Sequence, residues 1–323
     1  MNVLSLFDGI SCGQLALQRA GVKVDNYYAS EVDKYAIQIT KTNFPNTIEL
    51  GSVTDIDCTT LPKIDLLIGG SPCQSFSFAG KRKGMSTKDE QEVLTLDHYL
   101  QLKNDGYEFE GQSYLFWEYM RILTEIKPKY FLLENVLMEE KWLKVISKTL
   151  GVHPIKICSS LVSAQNRKRL YWSNIGMQPT GLFGYLFSVI KEPKDKGIYL
   201  NDILENNVSD KYFISERMIK SFIKKTEKYK LIGGGFAFKP TNGINKKSRT
   251  ITNPSKNRMD ETYIICEKKN QSIRRLTPIE CERLQTIPDN YTNMLSDSQR
   301  YKCIGNGWTI DVIVHIFKHL PYE

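Results

Sequence analysis

The chain has 323 residues, 41% hydrophobic and 25% charged, the profile of an ordinary soluble globular protein of one or two domains. It lacks any tract of about 18 consecutive apolar residues, and Met1 runs into VLSLF rather than into a basic segment and signal core. A cytosolic protein is therefore expected, and a membrane-spanning or exported one is not. The seven cysteines (12, 58, 73, 158, 266, 281, 303) are scattered, no two form a CxxC pair, and there are only four histidines. This pattern argues against a disulfide framework and against a structural zinc site. Net charge is +8, and residues 178 to 272 hold 18 Lys+Arg against 10 Asp+Glu, which is all of the excess. A solvated lysine-rich surface and a module that meets a polyanion both fit that segment.

In chain order, VLSLF (3 to 7) reads as a strand that breaks into DGISCG, and QLALQRAG follows as a helix stopping at Gly21. NYYAS is a second strand ending in Glu31-Val32-Asp33, and 34 to 44 is a helix closed by Pro45. IDLLIGG is a third strand, running directly into SPCQSFSFAG. The stretch from Phe78 to Tyr114 has no firm periodicity apart from a short VLTLDHYLQL, and reads as a long loop of the kind that is either a functional lid or a disordered segment. Residues 113 to 128 form an amphipathic helix and 129 to 136 a fourth strand. Alternating strands and helices predict an α/β fold with a doubly wound, mostly parallel sheet, in which ligands bind beyond the carboxyl ends of the strands.

Four strand ends then share one rim: Asp8-Gly9, Glu31, Ser71-Pro72-Cys73 and Glu134-Asn135-Val136. The loop from Phe7 to Gly13 lets backbone approach a ligand, and Glu31 is placed to accept hydrogen bonds from ribose hydroxyls, so a nucleoside-containing cofactor is expected. Cys73 can be read as an inert core thiol, a metal ligand or a nucleophile held on a rigid turn. Its companions are Glu134 and the basic run Gln165-Asn166-Arg167-Lys168-Arg169, with no histidine at a strand end to make a Cys-His pair.

These residues resemble the signature blocks of the DNA (cytosine-5-)-methyltransferases. LSLFDGISCG resembles the family's cofactor loop, SEVDKYA its ribose-binding acid and GGSPCQSFS its catalytic Pro-Cys-Gln. ENV (134 to 136), QNRKRLYW (165 to 172), RRLTPIECERLQTIPDNY (274 to 291) and IGNGWTIDVI (304 to 313) resemble the remaining blocks, in family order. Residues 178 to 272 have no strong match and occupy the place of the family's variable target-recognition region.

The resemblance implies a Rossmann-like S-adenosylmethionine-dependent methyltransferase fold with a smaller target-recognition domain. The catalytic domain is expected at 1 to 177 plus 292 to 323 and the recognition domain at 178 to 291, with 274 to 291 at the junction. It implies catalytic roles for Cys73, Glu134, Arg167 and Arg169. Cofactor contacts are implied at Phe7, Asp8, Gly9, Ile10, Glu31, Val32, Ser52, Val53, Pro72, Asn306 and Trp308. DNA contacts are implied at Gln74, Ser77, Lys81, Arg82, Lys83 and Gln165, while Asn242, Asn245 and Arg249 are candidates to read base edges. The loop after Cys73 would close over DNA, and the C-terminal segment would pack beside the first strand.

The implied reaction adds the Cys73 thiolate to carbon 6 of cytosine, with Glu134 meeting the charge at ring N3 as an acid whose pKa is raised by a closed site. Carbon 5 then takes the methyl of S-adenosylmethionine, from a base flipped out of duplex DNA. S-adenosyl-L-methionine is the expected cofactor, with S-adenosyl-L-homocysteine as product and no metal. Double-stranded DNA is the expected partner, no membrane is involved, and a monomer in the cytoplasm of a bacterium or phage-infected host is expected. A companion restriction endonuclease is left open. Alternatives are a transfer-RNA cytosine methyltransferase of the same fold and a non-catalytic DNA-binding module. The chain departs from the family at Ser11 and Cys12, where many relatives have glycine, at Ser52-Val53, where an acid often contacts adenine, and at Gly307-Trp308.

Overall fold

A computed structural model of the chain describes residues 1–72, 85–89, 91–109, 111–180, 185–235, 237–252, 258–266 and 272–321. The first half alternates as predicted: β1 (Asn2–Leu6), α1 (Cys12–Ala20), β2 (Asn26–Ser30), α2 (Lys34–Asn43), β3 (Ile48–Glu49) and β4 (Leu66–Gly70). Then come α3 (Leu96–Asn104), α4 (Phe116–Ile126), β5 (Tyr130–Val136), α5 (Glu140–Leu150), β6 (Ile155–Cys158) and β7 (Lys168–Ser173). Local chemistry sets the boundaries: Gly21 ends α1 at φ 75°, and the Asp33 side chain caps α2 by accepting from the Tyr35 amide.

The strands form one seven-stranded sheet in the order β3-β2-β1-β4-β5-β7-β6. β1 pairs parallel with β2 and β4, β2 with β3, and β4 with β5, so these five strands end on one edge. β7 runs antiparallel to β5. The sheet is thus the mostly parallel Rossmann-like one expected. Leu4, Leu6, Leu67 and Leu133 from its strands pack with Trp117, Ile122, Trp142 and Trp172 in the main core. At burial of about 1.5–3 kcal/mol per large apolar side chain, this layer supplies most of the force that fixes the strand tips.

Two glycines permit close approaches. A Cβ on Gly13 would meet Ile68 Cδ1 at 2.3 Å, so α1 can lie directly on β4. A Cβ on Gly69 would meet the Leu6 carbonyl oxygen at 3.0 Å and the Tyr119 ring at 3.1 Å.

The remaining elements are β8 (Met177–Thr180), β9 (Tyr185–Ser188), α6 (Glu216–Leu231), β10 (Tyr263–Cys266), β11 (Ser272–Arg275), α7 (Pro278–Leu284), α8 (Asp297–Asn306) and α9 (Ile310–Phe317). The chain divides into two compact units. The first comprises residues 1 to 157, 168 to 192 and 313 to 323; the second comprises 158 to 167 and 193 to 312. The first is discontinuous, and residues 158 to 167 and 292 to 312 lie in the second. Their partners explain this: Arg167, Gln165 and Thr309 bond to residues of the second unit, which has its own core around Leu200, Ile251, Leu276 and Tyr301.

The expected long loop corresponds only partly to the structure. Residues 85 to 109 are fastened to the first unit, with Met85, Val93 and Tyr99 buried in its core and the Tyr99 hydroxyl donating to Glu118 Oε1 at 2.6 Å. The short apolar run within it folds as α3, capped by the Thr95 side chain. Among the described residues no helix is long and apolar enough to cross a membrane.

Candidate active site

The parallel register builds the rim. Gly70 lies opposite Glu134, so the tip of β5 stands beside the turn that continues through Ser71 and Pro72 to Cys73. Asn135, one per cent exposed, donates from Nδ2 to the Ser71 hydroxyl at 3.0 Å and to the Ser71 carbonyl at 3.3 Å. The middle residue of ENV thereby clamps the turn that leads to the cysteine. Its role was not foreseen, although an asparagine at the end of a buried strand is a signal, since a buried amide requires partners. Cys73, Gln74, Ser77, Lys81, Arg82 and Lys83 lie outside the described residues.

Glu134 is paired with Arg169, Nε to Oε1 at 2.8 Å, with both side chains nearly buried. The register explains the pair: Arg169 lies opposite Val136 on antiparallel β7, and Val136 shares a sheet face with Glu134, so the arginine reaches the carboxylate diagonally. These two members of the expected catalytic set are therefore together.

Arg167 belongs to the second unit. It is five per cent exposed, and its guanidinium donates to the carbonyl oxygens of Ile251 at 3.1 Å, Gly305 at 3.3 Å and Gly307 at 3.0 Å. A guanidinium presents five donors and favours such a cage of acceptors, so Arg167 ties together segments of the second unit. Gln165 is also held within the second unit. It is fully buried, donates to Leu284 O and Gln285 Oε1, and accepts from the Ile251 amide at 2.8 Å.

On the cofactor side, the loop after β1 has positive φ at Phe7 (57°), Gly9 (59°) and Ser11 (55°). Two of the three are not glycine, and strain of this kind is retained where surrounding contacts enforce it. Those contacts are visible: the Asp8 amide donates to Ser30 O at 3.1 Å and the Gly9 amide to Glu31 Oε2 at 2.8 Å. Glu31 Oε1 also accepts from the amides of Val32 and Asp33. Three of the roughly four acceptor positions of this carboxylate are filled, which leaves one on Oε2 for a ligand hydroxyl. Val32 beside it is 73% exposed, an apolar surface at the rim, and the space around Gly9 is open to 4 Å. These features fit a nucleoside.

Three residues expected to contact the cofactor turn their side chains inward. Val53 and Ile10 are buried, Val53 in the main core, so their side chains pack inward. The Asp8 carboxylate is also turned inward, accepting from the Ser11 hydroxyl at 2.5 Å and from the Tyr27 hydroxyl at 2.8 Å. Tyr27 comes from β2 and carried no sequence signal, because its role depends on strand pairing. The Ser52 hydroxyl caps its own short turn by accepting from the Thr54 amide. Phe7 packs against the main core, Pro72 follows the clamped Ser71, and Asn306 and Trp308 belong to the second unit.

Burial pushes the Asp8 carboxyl up to about 6 from an ordinary 3.8, against the opposing hydrogen bonds from Ser11, Ser5 and Tyr27. The folded state then binds more protons than the unfolded chain between about pH 4 and 6, so unfolding free energy falls as pH rises through that window and levels off above it. Asp8→Asn is expected to remove up to about 3 kcal/mol of that pH dependence. Urea unfolding of both proteins across pH 4 to 7 checks it, and parallel curves would refute it.

In the second unit, Asn242 and Asn245 are exposed turn residues, Asn242 accepting from the Ile244 amide and Asn245 at φ 50°. Arg249 is half-buried and donates from Nη2 to Ala237 O at 3.0 Å, so its guanidinium is partly tied back to backbone.

Comparison with known proteins places this arrangement. Residues 1–321 match the family model described as C-5 cytosine-specific DNA methylase. The Type II methyltransferase M1.ScrFI of Lactococcus lactis subsp. cremoris is 31% identical over 97% of this chain and 76% of its own length. The Type II methyltransferase M.NlaX of Neisseria lactamica is 28% identical over 97% and 93%. Among solved structures, the Entamoeba histolytica methyltransferase EhMeth superposes with a TM-score of 0.69 at 16% identity, over 99% of this chain and 97% of that one, a likeness of fold.

Proposed function

The chain belongs to the C-5 cytosine-specific DNA methylase family and is a DNA (cytosine-5-)-methyltransferase, and from that premise we propose that it methylates one specific duplex sequence through a covalent Cys73 adduct. The observation that carries the reading is the convergence of the Asn135-clamped Ser71-Pro72 turn with the Glu134–Arg169 pair at one sheet rim. Carbon 5 of cytosine is a weak nucleophile, so electrons must first enter the ring; a thiolate at carbon 6 supplies them. Glu134 receives the N3 side of the flipped base and Arg169 holds the carboxylate in register. Loss of the carbon 5 proton after methyl transfer expels Cys73 and restores the aromatic ring.

S-adenosylmethionine supplies the methyl group when bound. Glu31 would accept from its ribose, Val32 would cover its adenine, and the strained backbone around Gly9 would approach its amino-acid end. The first unit is the catalytic module, and the second, which carries the basic excess, meets DNA in the cytoplasm of a bacterium or phage-infected host. The protein acts as a monomer. The Type II names of its relatives favour a restriction-modification setting with a companion endonuclease. Expression in cells lacking cytosine methylation, followed by sequencing of modified positions, should show 5-methylcytosine at one recurring short sequence. Unmodified DNA from cells containing folded protein would sink the reading.

A further inference from the structure

We propose that one face of α6 binds the phosphate backbone of duplex DNA, an inference that rests on the DNA substrate proposed above. The opposite face is fixed to the second unit. Phe222 and Thr226 are the buried positions of the helix; the Phe222 ring lies 5.1 Å from Phe238 and 5.8 Å from Tyr263, and Thr226 Oγ1 accepts from the Phe238 amide at 2.9 Å.

Arg217, Lys220, Lys224 and Lys228 recur at intervals of three, four and four residues. At about 100° per residue they fall within an arc of about 80°, turned away from Phe222 and Thr226, and run about 16 Å along the axis. All four are exposed. Lys220 has one long contact with Glu216, at 4.0 Å between exposed groups, and the other three have no ion pair among the described residues. Like charges four apart oppose helix formation, so Lys220, Lys224 and Lys228 work against the element that carries them. A polyanion lying along the stripe reverses that sign. A row of cations at near-constant spacing suits a phosphate backbone, which offers charge at regular intervals and requires no base recognition.

The test compares the unsubstituted enzyme with a triple variant, Lys220→Gln, Lys224→Gln and Lys228→Gln. A control with equal loss of charge carries Lys23→Gln, Lys63→Gln and Lys127→Gln, exposed positions before β2, β4 and β5 on the edge opposite the rim. Duplex affinity is measured between about 50 and 200 mM salt, together with steady-state methylation. The α6 variant should lower the slope of log affinity against log salt by about 2 to 3 and weaken DNA binding by about 10- to 100-fold. Its kcat at saturating DNA and its S-adenosylmethionine affinity should stay unchanged, as should every property of the control. An unchanged slope in the α6 variant, or an equal change in the control, overturns the inference while an active unsubstituted enzyme leaves the DNA reading standing. If the unsubstituted enzyme shows no salt-dependent duplex binding, the DNA reading fails and this inference fails with it.

Discussion

Replacing Cys73 by serine should lower methyl transfer to duplex DNA by at least about 10³-fold, the scale on which removal of a covalent nucleophile acts. The physical reason is electronic. A serine hydroxyl is a far weaker acid than a thiol, and the proposed attack on carbon 6 requires the anion, which a cysteine supplies near neutral pH. The loss corresponds to about 4 kcal/mol of barrier, so little product should form on the timescale of the unsubstituted enzyme. The side chains change by one atom, and Pro72 with the Asn135 clamp on Ser71 remains in place. Binding of S-adenosylmethionine and of DNA should therefore persist. Labelled-methyl transfer measures the first claim and equilibrium binding the second; a serine variant retaining a tenth of the activity would remove Cys73 from the mechanism.

Glu134→Gln should lower kcat by about 10² to 10⁴, the range for a general acid or base placed on a reacting group. The amide keeps the shape of the side chain but cannot exchange a proton with ring N3, and it loses the charge that holds Arg169 at 2.8 Å. Because Glu134 pairs with Arg169 while the Gly9 amide is held by Glu31, cofactor affinity should stay level while kcat falls. Trapping on DNA that carries 5-fluorocytosine at the target provides a second readout, since the adduct should form more slowly. Equal kcat in the two proteins would reduce Glu134 to a structural partner of Arg169.

The first half of the fold was legible because its signals are local. Apolar runs of strand length, Gly21 and Pro45 as stops, and the alternation of strand with helix require no knowledge of distant residues, and a parallel sheet then gathers the strand tips. Glu31, Glu134 and the Ser71-Pro72 turn were placed on the rim by that logic, and the structure has them there. In the sequence, 85 to 109 reads as a loop because Met85, Val93 and Tyr99 are spaced too irregularly to announce a core face, yet all three are buried.

The sequence by itself determined which residues stand at the sheet edge and which segment carries the positive charge, since both follow from composition and short-range pattern. Only the tertiary structure decided where individual side chains turn. Asp8 stands in the expected loop but its carboxylate bonds inward to Tyr27, 19 positions away. Arg167 and Arg169 are two residues apart, yet one is caged by carbonyls 84 to 140 positions away while the other reaches Glu134. Neither outcome is a property of the residue or its neighbours. A buried polar group must be satisfied wherever a partner exists, and in these cases the partner is supplied by strand pairing and by packing between segments far apart in the chain.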